Sequence, residues 1–485
     1  MADHASLRVA IIGAGPAGLA AGHELLAQGF SDFTIFEKSD AVGGTWHLHT
    51  YPGLACDVWA HVYTFSYEPN SDWSANFVGQ PEIEAYLQRC ATKFGLDPHI
   101  RLNTRIVQAI YRGDGIWQLT SESGESFEFD VVINAMGNQH TPLYPDVKGM
   151  ESFEGHSWHA TEWNHDVDLS GKHIAIVGSA ASAVQIVPEI AKIAGQVTVL
   201  QRTPNWIMPR GRKFYSERKR AWFRHMPALI RLTQYVQRFM MSFVHQAATL
   251  GHKRMEQFEN VGRKSINNTI SDPELREALT PDSRFACKRP LISDDFYPAL
   301  TLNHVELIPE GLQEVRPHSI LIAGGREVEV DVIVYCTGYR ILDFDRIEVR
   351  GDQGQALADA MGDEPEAHKG IAAPGFPNYF FAAGPNGLVL QVPYFVTIER
   401  NIATIVRLLK EKQRVDARSM VVLDESHREY NDWLLTQFAL YSWGASSCNS
   451  YYQLPNGRAP FLFPGDFKTY EDLHAQCGLH EFELG

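Results

Sequence analysis

The sequence predicts an α/β protein with two Rossmann-like dinucleotide-binding domains and a helical insertion. Three observations carry this. A strand, a glycine turn, a helix and a second strand open the chain; the same plan returns near residue 173; and residues 203–285 are rich in Lys and Arg, with apolar residues at helical spacing. The 485 residues, 44% hydrophobic and 21% charged, are enough for two or three domains with sizeable cores.

The first unit reads LRVAIIGAGPAGLAAGHELLAQGFSDFTIFEKS. Val9 to Ile12 is an apolar run of the length of a buried parallel strand. Gly13, Gly15 and Gly18 follow as GxGxxG, and then a helix to about Gln28. Such glycines permit a tight turn, let backbone N–H groups approach a pyrophosphate and bring helix against strand, while the helix N-terminus favours negative charge. A second strand, Phe33 to Phe36, ends at Glu37, where a carboxylate can accept from ribose hydroxyls. Gly43 and Gly44 come soon after, an extension that resembles FAD-binding flavoenzymes more than plain dehydrogenases. A Glu suits an adenosine without a 2′-phosphate. The first unit is therefore read as an FAD site.

GKHIAIVGSAASAVQIVPEIAKIAGQVTVLQRT repeats the plan, with strands His173 to Val177 and Gln196 to Leu200. Gly178 is kept, but Ala180 and Ala183 replace the second and third glycines; Ser179 and Ser182 complete the candidate contacts of this turn. At the end of the second strand stand Arg202 and Thr203, where an NAD site would offer an acid. A guanidinium there pairs with a 2′-phosphate, which favours NADPH over NADH.

Two dinucleotide sites on one chain imply a flavin reduced by a nicotinamide, and leave the electron acceptor to be found. The six cysteines show no CxxC pair, so neither a disulfide framework nor a dithiol redox motif is expected, and the setting is read as reducing and cytoplasmic. No Cys or His cluster has iron–sulfur or zinc spacing; His47, His49, His156 and His159 read as structural, and no metal is expected. Molecular oxygen is the acceptor that needs no further protein cofactor. The formal net charge of −15 offers no overall attraction to nucleic acid or anionic membrane, and the start of the chain lacks the layout of a signal peptide. Gly370 to Ile398 carries no charge, but its prolines and glycines exclude a spanning helix, so it is read as buried strand and turn near a ligand.

Between the two units lies FEGHSWHATEW, which reads as too polar and too interrupted for a strand. Phe153, Gly155, His159 and Trp163 in this spacing resemble the fingerprint of type I Baeyer–Villiger monooxygenases, in the wider class of flavin-containing monooxygenases, with Asn164 where that family usually has Pro or Asp. GGTWHLHTYPGLACD resembles a second signature, with Trp46, Tyr51, Pro52, Gly53 and Asp57 in register. FACKRPLISDDFYPAL places Lys288 and Arg289 where the family has a Lys for the 2′-phosphate and an Arg at the flavin. DVIVYCTGY and FPNYFFAAGP match the return to the FAD domain and the flavin-side core, and Tyr451 stands where relatives often have a Trp contacting NADP.

The resemblance implies an FAD domain from residues 1–140 and 337–485, an NADPH domain from 141–336, and 203–285 as the insertion. It implies that reduced FAD adds oxygen as a C4a-peroxyflavin, that Arg289 stabilises this anion, and that Asp57 orients the arginine. A small-molecule ketone and O2 would then give an ester or lactone. Oxidation of S or N atoms, or a non-oxygenating NADPH-binding flavoprotein, are the alternative readings. In the insertion, Leu229, Leu232, Val236, Phe239, Met240 and Phe243 predict an amphipathic helix packed on the NADPH domain. Its internal position and the net acidity argue against membrane association.

Overall fold

The computed structural model describes residues 7–139, 141–448, 450, 453–454 and 456–485. Two parallel sheets organise them. Their strands in chain order are β1 (Val9–Ile12), β2 (Phe33–Phe36), β3 (Ile100–Arg101), β4 (Val131–Asn134), β5 (His156–His159), β6 (His173–Val177), β7 (Gln196–Leu200), β8 (Val305–Ile308), β9 (Val332–Tyr335) and β10 (Tyr379–Phe381). The first sheet has the order β10-β4-β1-β2-β3, the second β8-β7-β6-β9-β5, and every pairing within them is parallel. Strands covered on both faces must be apolar throughout, as β1 and β9 are: all four residues of each are buried.

The principal helices are α1 (Pro16–Ala27), α2 (Ala181–Ile190), α3 (Glu217–His225), α4 (Pro227–Ala248), α5 (Lys253–Thr269) and α6 (Tyr394–Arg414). Helix α1 follows the turn after β1, and α6, from far along the chain, packs beside it. Ile11 and Ile133 of the sheet meet Leu19, Leu25, Ile402 and Leu409 in one core. In the second core, Ile174, Ile176 and Val199 meet Ile186 and Val187 of α2. Each sheet thus carries its own hydrophobic centre.

Three expectations are corrected. The stretch FEGHSWHATEW does contain a strand: β5 runs beside β9, with Trp158 and His159 buried and His156 and Ser157 exposed. An edge strand in a parallel sheet leaves one side open to water, which is why polar residues are tolerated there. The insertion does not bury the apolar face that its spacing predicts. Ile230, Gln237, Ala247 and Ala248 of α4 are inward, whereas Leu232, Val236, Phe239 and Met240 are exposed. Its inner side joins a core with Trp206 and Phe285 but also with Leu434 and Trp443 of the C-terminal part, so it does not pack on the second sheet's domain alone. Finally, Cys287 and Cys448 form a disulfide across 161 residues of sequence, while Cys56, Cys90, Cys336 and Cys477 are free and buried. That pairing is created by tertiary contact and leaves no local spacing to read. Among the described residues, no helix is long and apolar enough to cross a membrane.

Candidate active site

The first glycine turn lies at the C-terminal ends of the strands, where open α/β sheets bind ligands. Gly13 has φ +105°, and a Cβ there would lie 2.7 Å from the Ala135 carbonyl oxygen; at Gly18 it would lie 1.9 Å from the Gly13 oxygen. Both glycines are required for the turn itself. Gly15 and Gly44 do something different. Gly44, with φ +57° and ψ −125°, faces Gly15 so closely that a Cβ on it would come 2.8 Å from the Gly15 Cα. Gly15 also caps α1 with no side chain of its own, leaving the first-turn N–H groups of α1 without a side-chain cap. A cradle built of backbone and a helix N-terminus fits the pyrophosphate of FAD.

Glu37 is buried at the end of β2, and its carboxylate accepts from the Ala14 N–H at 2.8 Å and the Ser39 N–H at 2.9 Å. A carboxylate has about four lone-pair positions, so capacity remains for ribose hydroxyls. Trp46, also buried, donates its indole N–H to the Tyr63 hydroxyl at 3.1 Å. A cavity at the ends of β4 and β10 is lined by Asn134, Ala135, Met136, Ala383, Gly384 and Tyr394, among others, and shares this face of the sheet. Gly44→Ala is expected to weaken FAD retention about tenfold, the effect of a strained backbone of this kind. The flavin absorbance of the purified variant reads it directly.

In the second unit Gly178 has φ +108°, and a Cβ would meet the Cys336 carbonyl oxygen at 2.5 Å. Ser179 is buried in the turn, and Ser182 in the first turn of α2 lies beside the hydroxyls of Tyr51 and Tyr339. Beyond β7, the Lys288 ammonium donates to the Thr203 hydroxyl at 2.5 Å. Burial lowers the Lys288 pKa, Asp282 opposes this, and the charge of Arg202 lowers it further. Arg202 and Lys288 thus lie close enough to repel. Two cations held together at the end of the second strand fit a dianionic 2′-phosphate, which would relieve that repulsion.

The two units meet at a polar and aromatic seam. Arg289, one residue beyond Lys288, donates from Nε and from a terminal nitrogen to the same Asp57 oxygen, at 3.0 and 2.6 Å. Arg289 follows the disulfide cysteine Cys287 by two residues, and Asp57 lies in the loop after Trp46. The pair therefore bridges the two halves of the molecule, and both side chains are half-buried. Close by, Tyr51 donates to Gln185 of α2 at 3.2 Å, and Gln185 donates to the Ala55 carbonyl at 2.9 Å. Gly53, at φ +79°, lies where a Cβ would stand 2.4 Å from the Gln185 carbonyl oxygen, so only glycine lets this loop dock on α2.

The fingerprint residues line the same seam. His159 accepts from the Thr161 N–H through Nδ1 at 3.2 Å, and its ring meets Tyr339 edge-on. His49 stacks on the other side of Tyr339, with its pKa pushed down to about 4 by burial first and by His159 second, so it is neutral at ordinary pH. Gly155 is forced by space: a Cβ would come 2.5 Å from the Asp331 carbonyl oxygen and 2.7 Å from the Phe153 ring. Trp163 packs edge-on against Trp158.

The structure thus brings together Gly13, Gly15, Gly18, Glu37, Gly44 and Trp46 on one side, and Gly178, Ser179, Ser182, Arg202, Thr203 and Lys288 on the other, with Asp57 and Arg289 between them. Tyr451 lies outside the described residues. Sequence reasoning missed Arg210. Its Nε is buried without a hydrogen-bond partner among the described residues. Its pKa is lowered, by burial first and then by Arg212, against Asp294, Asp295 and, less, Asp57. A second guanidinium therefore shares the field of Asp57. The only sequence signal was a basic Arg-Gly-Arg run with no recognisable spacing.

Comparison with known proteins agrees with this geometry. The model of the flavin-binding monooxygenase-like family matches residues 6–349. A Baeyer–Villiger monooxygenase of Pseudomonas aeruginosa is 38% identical over 98% of this chain and 91% of its own. One of Streptomyces coelicolor is 35% identical over 99% and 93%. The solved structure of OTEMO in complex with FAD and NADP superimposes with a TM-score of 0.87 at 25% identity, covering 99% of both chains. The closed structure of cyclohexanone monooxygenase gives 0.87 at 24%, also covering 99% of both, and bears on the fold alone. A family match across most of the chain, with relatives of this identity along its full length, means that the chain belongs to the flavin-binding monooxygenase-like family and, within it, to the Baeyer–Villiger monooxygenases.

Proposed function

We propose that this enzyme uses NADPH and O2 to convert a small-molecule ketone to an ester or lactone at the seam, with Arg289 as the catalytic cation and Asp57 as its positioning partner. The observation that carries this is the Asp57–Arg289 ion pair, set where the two glycine-turn units meet. Gly13, Gly15, Gly18, Glu37, Gly44 and Trp46 would hold FAD; Gly178, Ser179, Ser182, Arg202, Thr203 and Lys288 would hold NADPH. Residues 1–140 with 337–485 then form the FAD domain and 141–336 the NADPH domain, a division supported by β10 and α6, which join the first sheet from the far end of the chain. A cytoplasmic setting remains part of this reading, without the argument from unpaired cysteines, which the Cys287–Cys448 disulfide removes.

FAD, when bound, supplies the activation of oxygen after reduction by NADPH. The chain's own residues do the rest. Arg289 places a fixed positive charge where negative charge develops on the reacting oxygen, and a site shielded from water makes that charge count for more. Asp57 fixes the plane of the guanidinium by taking two of its five N–H groups. Arg202 and Lys288 anchor the far end of NADPH and so orient its nicotinamide.

Two measurements test the reading. A panel of linear, cyclic and aryl ketones, followed by mass spectrometry under NADPH and labelled O2, should give esters carrying one labelled oxygen at the inserted position. Ready sulfide oxidation with no ester from any ketone would transfer the assignment to heteroatom oxidation. Second, Arg202→Ala and Lys288→Ala should each lower the NADPH-over-NADH ratio of kcat/KM about tenfold or more, the worth of one charge-assisted hydrogen bond. Equal use of NADH by the wild type would refute the 2′-phosphate pocket.

A further inference from the structure

Helix α4 is unusual for a soluble surface. Its inner face is anchored by Ile230, Gln237 and Ala248, all buried, and by Gln234, which donates to the His61 carbonyl at 2.8 Å. The opposite face presents Leu232, Tyr235, Val236, Phe239 and Met240, whose spacing of three and four residues makes one continuous stripe. Their exposures are 59%, 70%, 45%, 58% and 43%. Single exposed apolar residues need no explanation; an apolar stripe over about two and a half helical turns does.

The charge around it identifies the occupant. From Arg218 to Arg254 the chain has eight Lys and Arg and no Asp or Glu, although its formal net charge is −15. Arg231 and Arg238 are exposed and border the stripe two turns apart. On the preceding helix α3, Arg220 and Arg224 are held by Asp72, while Arg218 lies over the ring of Trp222, itself 48% exposed. A second copy of this chain, docked stripe to stripe, would bring basic edge to basic edge with no acid on either helix α4 to pair them. Arg238 feels Glu399 from the protein side, and an anionic lipid surface adds acyl chains under the apolar residues and headgroup charge on the outer side of the cations. The helix cannot cross a bilayer, because its inner face is tied to the protein by polar as well as apolar contacts. It would lie in the plane of the interface.

We propose that the enzyme docks peripherally on anionic membranes through α4, with Leu232, Tyr235, Val236, Phe239 and Met240 inserted and Arg231 and Arg238 at headgroup level. This reverses the expectation drawn from net charge, because the charge is segregated: binding responds to the local face and not to the total.

The test uses the FAD-loaded full-length chain and phosphatidylcholine vesicles with and without phosphatidylglycerol, scored by co-sedimentation. The wild type should partition onto the anionic vesicles, weakly onto neutral ones, and less as salt rises. The double variant Leu232→Ser, Phe239→Ser should lose about tenfold or more of its partition coefficient through lost apolar burial. The variant Arg231→Gln, Arg238→Gln should lose about tenfold on anionic vesicles only. Retained FAD and an unchanged melting temperature certify folding, and if the apolar variant fails that check the arginine variant still decides. Wild-type protein that stays in the supernatant at low salt, or variants that bind as well as wild type, overturn the proposal. So does a wild-type dimer in light scattering that Phe239→Ser dissociates, with no vesicle binding, since the stripe would then be an interface between copies.

Discussion

Arg289→Ala is expected to reduce ester formation about a hundredfold or more, by analogy with the loss of one preorganised donor to a developing oxyanion. Anaerobic reduction of the bound FAD by NADPH should continue in part, because Arg289 would be one of several contacts to the flavin while the glycine turns, Glu37, Arg202 and Lys288 would still hold both cofactors. With oxygen and ketone supplied, NADPH should still be consumed, and the oxygen should leave as hydrogen peroxide. The measurement is a balance of NADPH consumed, ester formed and peroxide released. Ester formation within about threefold of wild type would make the Asp57–Arg289 pair a structural bridge between the two halves and no more. Arg289→Lys should not rescue fully, since an ammonium on a flexible stem cannot reproduce the fixed guanidinium geometry held by two bonds to one Asp57 oxygen.

Asp57→Ala is expected to lower coupled ester formation about ten- to a hundredfold while FAD stays bound, because removing one member of a partly buried pair leaves the other charge uncompensated. The structure adds a reason that was not visible in the sequence: Arg210 also lies in the field of Asp57. Without the carboxylate, the two guanidinium groups lose the anion they share, and Arg289 loses both of its bonds to Asp57 and should shift from its position. Asp57→Asn separates the two contributions, as it keeps an acceptor for Arg289 but removes the charge. Activity recovered by Asn would assign Asp57 to geometry; activity lost equally in Asn and Ala would assign it to charge. Loss of FAD in both variants would mean that Asp57 supports the cofactor site itself.

Much of this site could be read locally. Strands β1, β2, β6 and β7 fall on the mostly apolar runs that predict them, since strands covered on both faces need apolar residues on both. Gly13, Gly18 and Gly178 could be read for the same reason, because a turn that tight admits no Cβ. Failures came where the deciding partner is distant. β5 looked like a loop because half of it is polar, and its strand character comes from β9, far along the chain. The disulfide depends on two segments 161 residues apart, and the approach of Arg210 to Asp57 on a loop in the other half.

The sequence by itself determined the two nucleotide-binding units, the glycines at their turns, Glu37 after the first and Arg202 after the second, because each is a short-range pattern of backbone sterics and charge. Only the tertiary structure decided that Gly44 closes on Gly15, that Asp57 meets Arg289, and that the apolar stripe of α4 faces outward. Helical periodicity states that one face is apolar; which way that face turns depends on the polar anchors opposite it, and here Gln234, reaching the His61 carbonyl, ties the other face to the protein.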